Sequence, residues 1–347
     1  MSIPELNERE RRVLEAVIQS YVETAEPTGS RALTRRFGLG VSPATIRNTM
    51  SDLEAKGYLY HPHTSAGRVP TDRAYRLYVD SLMRPASVAG AEADRLAEEI
   101  AAGGSAIEVI LRRAAQSLSV VSQELGVALG PRLDFAVLER LELVRVSQER
   151  LLLVLTLAGG AVRTIFVDVS SLVAESALAE VMRVLNERLA GLTLRDIRYS
   201  LGERLRDASA HRGASELLNV FVQEGERYFD LPLVGEDSRV VLGHTSTLAE
   251  QPEFASGESL RRLLALTDTS EHLATLLRQR SESPGISITI GNEHGDPRLD
   301  NFTVVTAEYR AGALSGVIGV IGPTRMPYDK VVALVRHTSL LVTDILH

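Results

Sequence analysis

SPATIRNTMSDLEAKG, residues 42–57, decides how this chain is read. Ser42 is a strong helix N-cap, and Pro43 suits the first helical position because its missing N–H costs nothing there. Ile46, Met50 and Leu53 recur at helical spacing, so one stripe of the segment is apolar. Gly57 stands where a helix-ending glycine belongs, with Lys56 in the last turn. Ala44, Thr45, Arg47, Asn48 and Ser51 must then point away from whatever covers the stripe.

Upstream, residues 5–24 read as a helix with Leu14, Val17, Ile18 and Tyr21 on one face. Pro27 to Ser30 break it, with Thr28 or Ser30 as the next N-cap. A short helix runs to Phe37, and Gly38 and Gly40 supply the turn before residue 42. Three short helices with a tight glycine turn between the second and third make a helix-turn-helix. Downstream, YLYHPHTSAGRVP (58–70) reads as two short strands around a polar loop, a wing beside the third helix. Thr71 caps a further helix carrying Tyr75, Tyr78 and Leu82. PASVAGA (85–91) is small and breaker-rich, a hinge. Residues 1–84 are thus a first domain.

The chain has 347 residues, 44% hydrophobic and 24% charged, an ordinary globular composition with room for two or three domains. A helical pattern over 92–125 gives way to strands at 137–146, 151–157 and 161–168. Helices dominate 172–228, with a strand near 239–243 and two helices to about 280. Strands at 286–291, 302–310 and 313–321 precede a closing helix over 328–346. The fold class expected is α+β and multidomain. There are no cysteines, which removes disulfides and cysteine-ligated zinc. The start of the chain lacks a secretory signal pattern, and its apolar runs are too short for a membrane span, so a cytoplasmic protein is expected.

The outward set on residues 42–56 suits base readout. Arg binds guanine edges bidentately, Asn binds adenine, and an Ala or Thr methyl meets the thymine methyl. Ser42 and Thr45, at a helix N-terminus, suit phosphate. Taken alone, such a face fits a solvated helix equally well; the hairpin after it tips the reading towards duplex DNA. His61, His63, Thr64, Ser65 and Arg68 crowd that hairpin and would reach the flanking minor groove or backbone. Thr28, Ser30 and Arg31 join the candidate set at the start of the second helix. Arg35, Arg36, Arg73 and Arg76 are further candidates for phosphate. The net charge is -7, yet residues 28–76 carry eight Lys and Arg against three Asp and Glu, a local excess of +5 on an acidic molecule. His61 and His63 have no evident third metal ligand nearby. No phosphate-binding loop, zinc-protease motif or nucleophile elbow is present, so no enzyme activity and no cofactor or metal is expected. GNEHGDPRLDN (291–301) is polar and reads as a connecting loop.

PTGSRAL (27–33), SPATIRNTMSDLEAKGYL (42–59) and HPHTSAGRVPTDRAYRLYVD (61–80), with GVIGVIGPTRMPYDKVVALV (316–335), closely resemble the heat-inducible transcription repressor family HrcA. The resemblance implies an N-terminal winged helix and a GAF-like α/β domain over 92–347. The GAF-like sheet would start at 135–169 and finish at 286–321, with a dimerisation region inserted at about 172–280. It implies a homodimer on an inverted-repeat operator, CIRCE, upstream of chaperonin and DnaK operons, released on heat stress and supported by the GroEL chaperonin. By position, Ser42 to Gly57 becomes the recognition helix and His61 to Thr71 the wing. The alternative is a ligand-responsive regulator whose GAF-like domain binds a small effector.

Overall fold

The computed structural model describes residues 6–63, 67–84, 86–102, 107–131, 133–158, 162–169, 173–206, 212–229, 240–268, 270–280, 285–312 and 314–346. The chain divides into two compact units, each mixing helix and sheet. One comprises Met1–Leu129, Val240–Glu308 and Val317–Val342; the other Gly130–Arg239, Tyr309–Gly316 and Thr343–His347. Among the described residues no helix is long and apolar enough to cross a membrane.

The first unit opens with α1 (Glu8–Thr24), α2 (Ser30–Phe37) and α3 (Pro43–Ala55). A capping box starts α1: Asn7 accepts from Glu10 N at 3.0 Å and Asn7 N donates back to the Glu10 carboxylate at 2.9 Å. Val13, Leu14, Val17 and Ile18 of α1, Leu33 of α2, and Ile46, Met50 and Leu53 of α3 are all buried, and α1, α2 and α3 pack together. Each such side chain contributes roughly 1.5–3 kcal/mol of apolar burial. Two short antiparallel strands follow, β1 (Leu59–Tyr60) and β2 (Val69–Pro70), in the register Leu59↔Pro70 and Tyr60↔Val69. Then comes α4 (Asp72–Leu77), capped by Thr71 and continued as a π turn over Tyr78–Leu82.

Beyond α5 (Gly90–Ala101) and α6 (Ile107–Ser122) lies a strand the sequence pattern did not announce, β3 (Leu125–Leu129). All five of its residues are buried, so it shows no alternation, and it follows α6 directly. It sits inside a five-stranded sheet with β7 (Val241–Leu242), β8 (Ile286–Ile290), β9 (Phe302–Ala311) and β10 (Leu314–Pro323), ordered β7-β3-β10-β9-β8. Strand β3 pairs antiparallel with β10, Leu125 opposite Ile321 and Leu129 opposite Val317. Of the helices that follow β7, α10 (Thr245–Ala249), α11 (Gly257–Asp268) and α12 (Ser270–Arg280), the last two bring Leu263, Leu273 and Leu277 onto Val127, Val304 and Ile321 of this sheet.

The second unit holds a separate three-stranded antiparallel sheet of β4 (Leu138–Arg145), β5 (Arg150–Leu157) and β6 (Val162–Asp168). This corrects the expectation that 135–169 begins the sheet completed by 286–321. Strand β3 takes that place, and the separate unit starts near residue 130, ahead of the strands, instead of at 172. Likewise 240–280 belongs to the five-stranded sheet's unit and not to the inserted one. Alternation along β5 sends Leu151, Leu153, Leu155 and Leu157 inward, each fully buried, against helices α7 (Glu175–Leu189), α8 (Leu194–Leu205) and α9 (Arg212–Phe229). Asn186 of α7 closes the β4 edge as a strand residue would, accepting from Leu141 N at 2.8 Å and donating to Leu141 O at 2.7 Å. The opposite face of the sheet leaves Val144, Val162 and Phe166 about half exposed. The chain's last described element is α13 (Tyr328–Ile345).

Candidate nucleic-acid interface

Burial of the α3 stripe turns Ala44, Arg47, Asn48 and Ser51 fully to the surface, with Thr45 half-buried. Ser42 caps the helix by accepting from Thr45 N at 3.2 Å, and the two hydroxyls lie 3.0 Å apart. Ser51 donates to Arg47 O within its own helix at 3.1 Å. The side chains of Arg47 and Asn48 have no partner among the described residues, so their donors and acceptors are free. An exposed guanidinium and an exposed amide stand side by side on one helix face, with two hydroxyls at its N-terminus.

The hairpin is fastened to the helices from two directions. Thr28 and Arg68 exchange backbone hydrogen bonds, each 2.9 Å, extending the β1–β2 pair by one bridge. Glu54 of α3 holds His61 Nδ1 at 2.6 Å and the Arg68 guanidinium at 2.9 Å. His63 is exposed; Thr64 and Ser65 lie outside the described residues. Among the described residues no group of three His, Asp or Glu side chains could hold a metal ion.

Several sequence-based candidates sit elsewhere than expected. Thr28 is only 4% exposed: its hydroxyl donates to Ser20 Oγ at 3.2 Å, which removes it from the surface set. Neither Thr28 nor Ser30 caps α2; Gly29 is the N-cap residue, without a side-chain bond. Ser30 is half-buried and Arg31 exposed. Arg68 is largely buried and held by Glu54, so it braces the hairpin. Arg36 pairs with Glu23. Arg73 donates to Lys56 O at 3.1 Å and lies over the Tyr58 ring at 4.7 Å. Arg76 is taken by Glu293. Compensating cations come from α1, which sequence reasoning had read only for its buried face. In the run Arg9-Glu10-Arg11-Arg12, Glu10 turns inward to meet Lys56 Nζ at 2.7 Å. Arg9 and Arg12 stay exposed beside Leu39 and Val41, in the turn that leads into α3. The signal was a basic run whose single acid occupies a core-facing position.

A family model described as the HrcA protein C terminal domain matches residues 108–332. Over 343 residues the chain is 39% identical to the heat-inducible transcription repressor HrcA of Chlorobium chlorochromatii, covering 98% of this chain and 97% of the relative. It is 35% identical over 343 residues to the protein of the same name from Geobacter sulfurreducens, covering 99% of this chain and 98% of the relative. A crystal structure described only as that of a hypothetical protein shares the fold, with a TM-score of 0.63, 24% identity and 99% coverage of both chains.

Gly67 tests the hairpin geometry. A Cβ there would fall 2.4 Å from the Thr28 carbonyl carbon and 2.6 Å from that of Pro27, where the backbone cannot yield. Gly67→Ala is expected to cost about 1–3 kcal/mol. Five of the nine tyrosines lie between residues 21 and 78. Urea unfolding followed by tyrosine fluorescence therefore reports on this region, and an unchanged midpoint would contradict the close approach.

Proposed function

The chain belongs to the HrcA family of heat-inducible transcription repressors, and from that premise we propose that residues 6–84 act as a winged helix-turn-helix whose α3 reads one arm of an inverted-repeat operator. The observation that carries this is the outward face of α3, with Arg47 and Asn48 exposed and without a partner among the described residues, and Ala44, Thr45 and Ser51 around them. Arg9 and Arg12 of α1 and Arg31 and Arg35 of α2 are exposed cations suited to phosphate. His61 and His63, on the wing, approach the flank. Repression then needs only occupancy of the operator.

A two-fold operator calls for a two-fold protein. We place the homodimer contact on the open face of the β4–β5–β6 sheet. There Val144, Leu152 and Phe166 stand in one cross-strand row and Thr156 and Val162 in another. Half-exposed apolar side chains on a sheet already covered on its other side suit burial by a second copy. The five-stranded sheet and its helices would be the GAF-like domain, and the unit from about residue 130 to 239 the dimerisation insertion.

Heat release and chaperonin support have a physical basis in the same topology. Strand β3 must wait for β10, nearly 200 residues later, before the five-stranded sheet can close. Sheets built from distant segments fold slowly and leave apolar edges open meanwhile. Such a chain is a natural chaperonin client, and the active fraction would fall when stress occupies the chaperonin with other clients. Refolding from denaturant with GroEL and ATP should give more operator-binding protein than refolding alone; equal yields would remove this part of the reading.

Arg47→Ala and Asn48→Ala should each weaken binding to an operator half-site by about 1–3 kcal/mol with folding intact. If each monomer covers four to five phosphates, log K should fall with log salt at a slope of roughly -7 to -9. Electrophoretic shifts across a salt series measure both; wild-type affinity in both variants would reject α3 as the reader. Phe166→Arg should leave monomers in sedimentation at concentrations where the parent is dimeric, and an unshifted dimer would move the contact elsewhere.

A further inference from the structure

The loop 291–301, a plain connection by sequence, grips α4. Asp72, the first residue of α4, accepts from both Asn292 N and Asn292 Nδ2 at 3.1 Å. One turn on, Arg76 makes a two-pronged bond to Glu293: Nε donates to Oε1 at 2.7 Å and Nη2 to Oε2 at 2.6 Å. Arg76 Nη2 also reaches Ile288 O of β8 at 2.8 Å. Glu293 is itself fixed, accepting from Ile290 N at 2.9 Å. Burial alone would raise the Glu293 carboxyl, but the Arg76 guanidinium, the Ile290 N–H and His294 together hold it below the usual carboxylate value. Gly291 is at φ +48°, and a Cβ there would lie 2.1 Å from the Asp72 carboxylate, so loop and helix meet with no space to spare. A second tie comes from the other end of the chain. Arg325 pairs with Glu253 and donates to Val22 O near the end of α1. Both ties border a cleft of about 800 Å³ lined also by Tyr21, Tyr75 and Thr71.

The α1–α3 helices and the α4 that follows them are therefore held to the five-stranded sheet by directional polar bonds around an open cleft, through α1 and α4. Bonds of this kind fix an angle more than they add stability: a bidentate guanidinium–carboxylate pair tolerates little rotation. Among the described residues none of these side chains bonds to Arg47 or Asn48. We propose that Arg76, with Glu293 and the Asp72–Asn292 pair, is a positioning residue for operator recognition. It sets the direction in which each head leaves its sheet, so that two heads span the arms of one inverted repeat. This rests on the dimeric-operator reading above. Two linked heads gain avidity only when geometry lets both engage, and a loosened joint loses that gain without changing either head's own contacts.

The test uses full-length protein and three duplexes of equal length: an operator with both arms, the same with its spacer lengthened by two base pairs, and one with one arm scrambled. The parent should prefer the first duplex strongly over the other two. Arg76→Ala should lose about 10-fold on the two-arm operator. On the one-arm duplex it should change less than twofold, and its selectivity for spacer length should flatten. Asn292→Ala, which removes the side-chain bond to Asp72 and keeps the backbone one, should move the same way by a smaller factor. Should Arg76→Ala unfold the head, its one-arm binding would fall as well, and Asn292→Ala then decides. Retained spacer selectivity in both variants, or an equal loss on one-arm and two-arm duplexes in Asn292→Ala, would overturn the proposal. A parent that binds one-arm and two-arm duplexes alike would instead defeat the dimeric-operator reading.

Discussion

Burial of Ile46, Met50 and Leu53 against the neighbouring helices is the constraint from which the rest follows. Once those three side chains are inside, a 13-residue helix has no freedom left in where its other faces point. Arg47 and Asn48 are outward because Ile46 and Met50 are inward. The same helix then organises its surroundings. Glu54, on the last turn of α3, clamps the hairpin through His61 and Arg68, and Lys56 just beyond that turn reaches back to Glu10 of α1. A single helix and its C-cap thus supply the proposed reading face, one anchor of the hairpin and a bond to the first helix.

Much of this was legible in the sequence because it is local. Ser42 and Pro43 announce the start of α3, and alternation in 151–157 announces β5 with its inward leucines. What stayed hidden was non-local. Strand β3 has no alternation because helices or strands cover it, and the helical pattern read over 92–125 ended at its first residue with 126–129 left unassigned. Which sheet a strand joins is likewise absent from periodicity: 138–168 carries a strong strand pattern and still forms a sheet of its own. The hairpin order of three adjacent strands is the low-cost closure, since short loops join them. The five-stranded sheet needs partners from distant parts of the chain.

The candidate interface divides in the same way. Outward residues of α3 follow from its stripe. Arginines do not reveal their partners by type or spacing: Arg31 and Arg47 have no partner among the described residues, whereas Arg36, Arg68, Arg73 and Arg76 are spent on Glu23, Glu54, the Lys56 carbonyl and Glu293. The local +5 excess of residues 28–76 therefore overstates the charge available to a polyanion. Thr28 shows the opposite error, a small polar residue in a turn that the fold draws inside. Family membership narrows the function to transcription repression; the exposed groups on α3 are the basis for proposing where on the chain it acts.

The absence of cysteine makes one measurement unusually direct. Ala44→Cys places the chain's sole thiol on the exposed first turn of α3, where a tethered iron–EDTA group cleaves DNA only within reach. On a labelled chaperone-operon promoter, cleavage should fall at two places related by a dyad, one within each arm of the inverted repeat. Operator protection by the same conjugate with no localised cleavage, or cleavage confined outside the arms, would contradict α3 as the element that enters the groove.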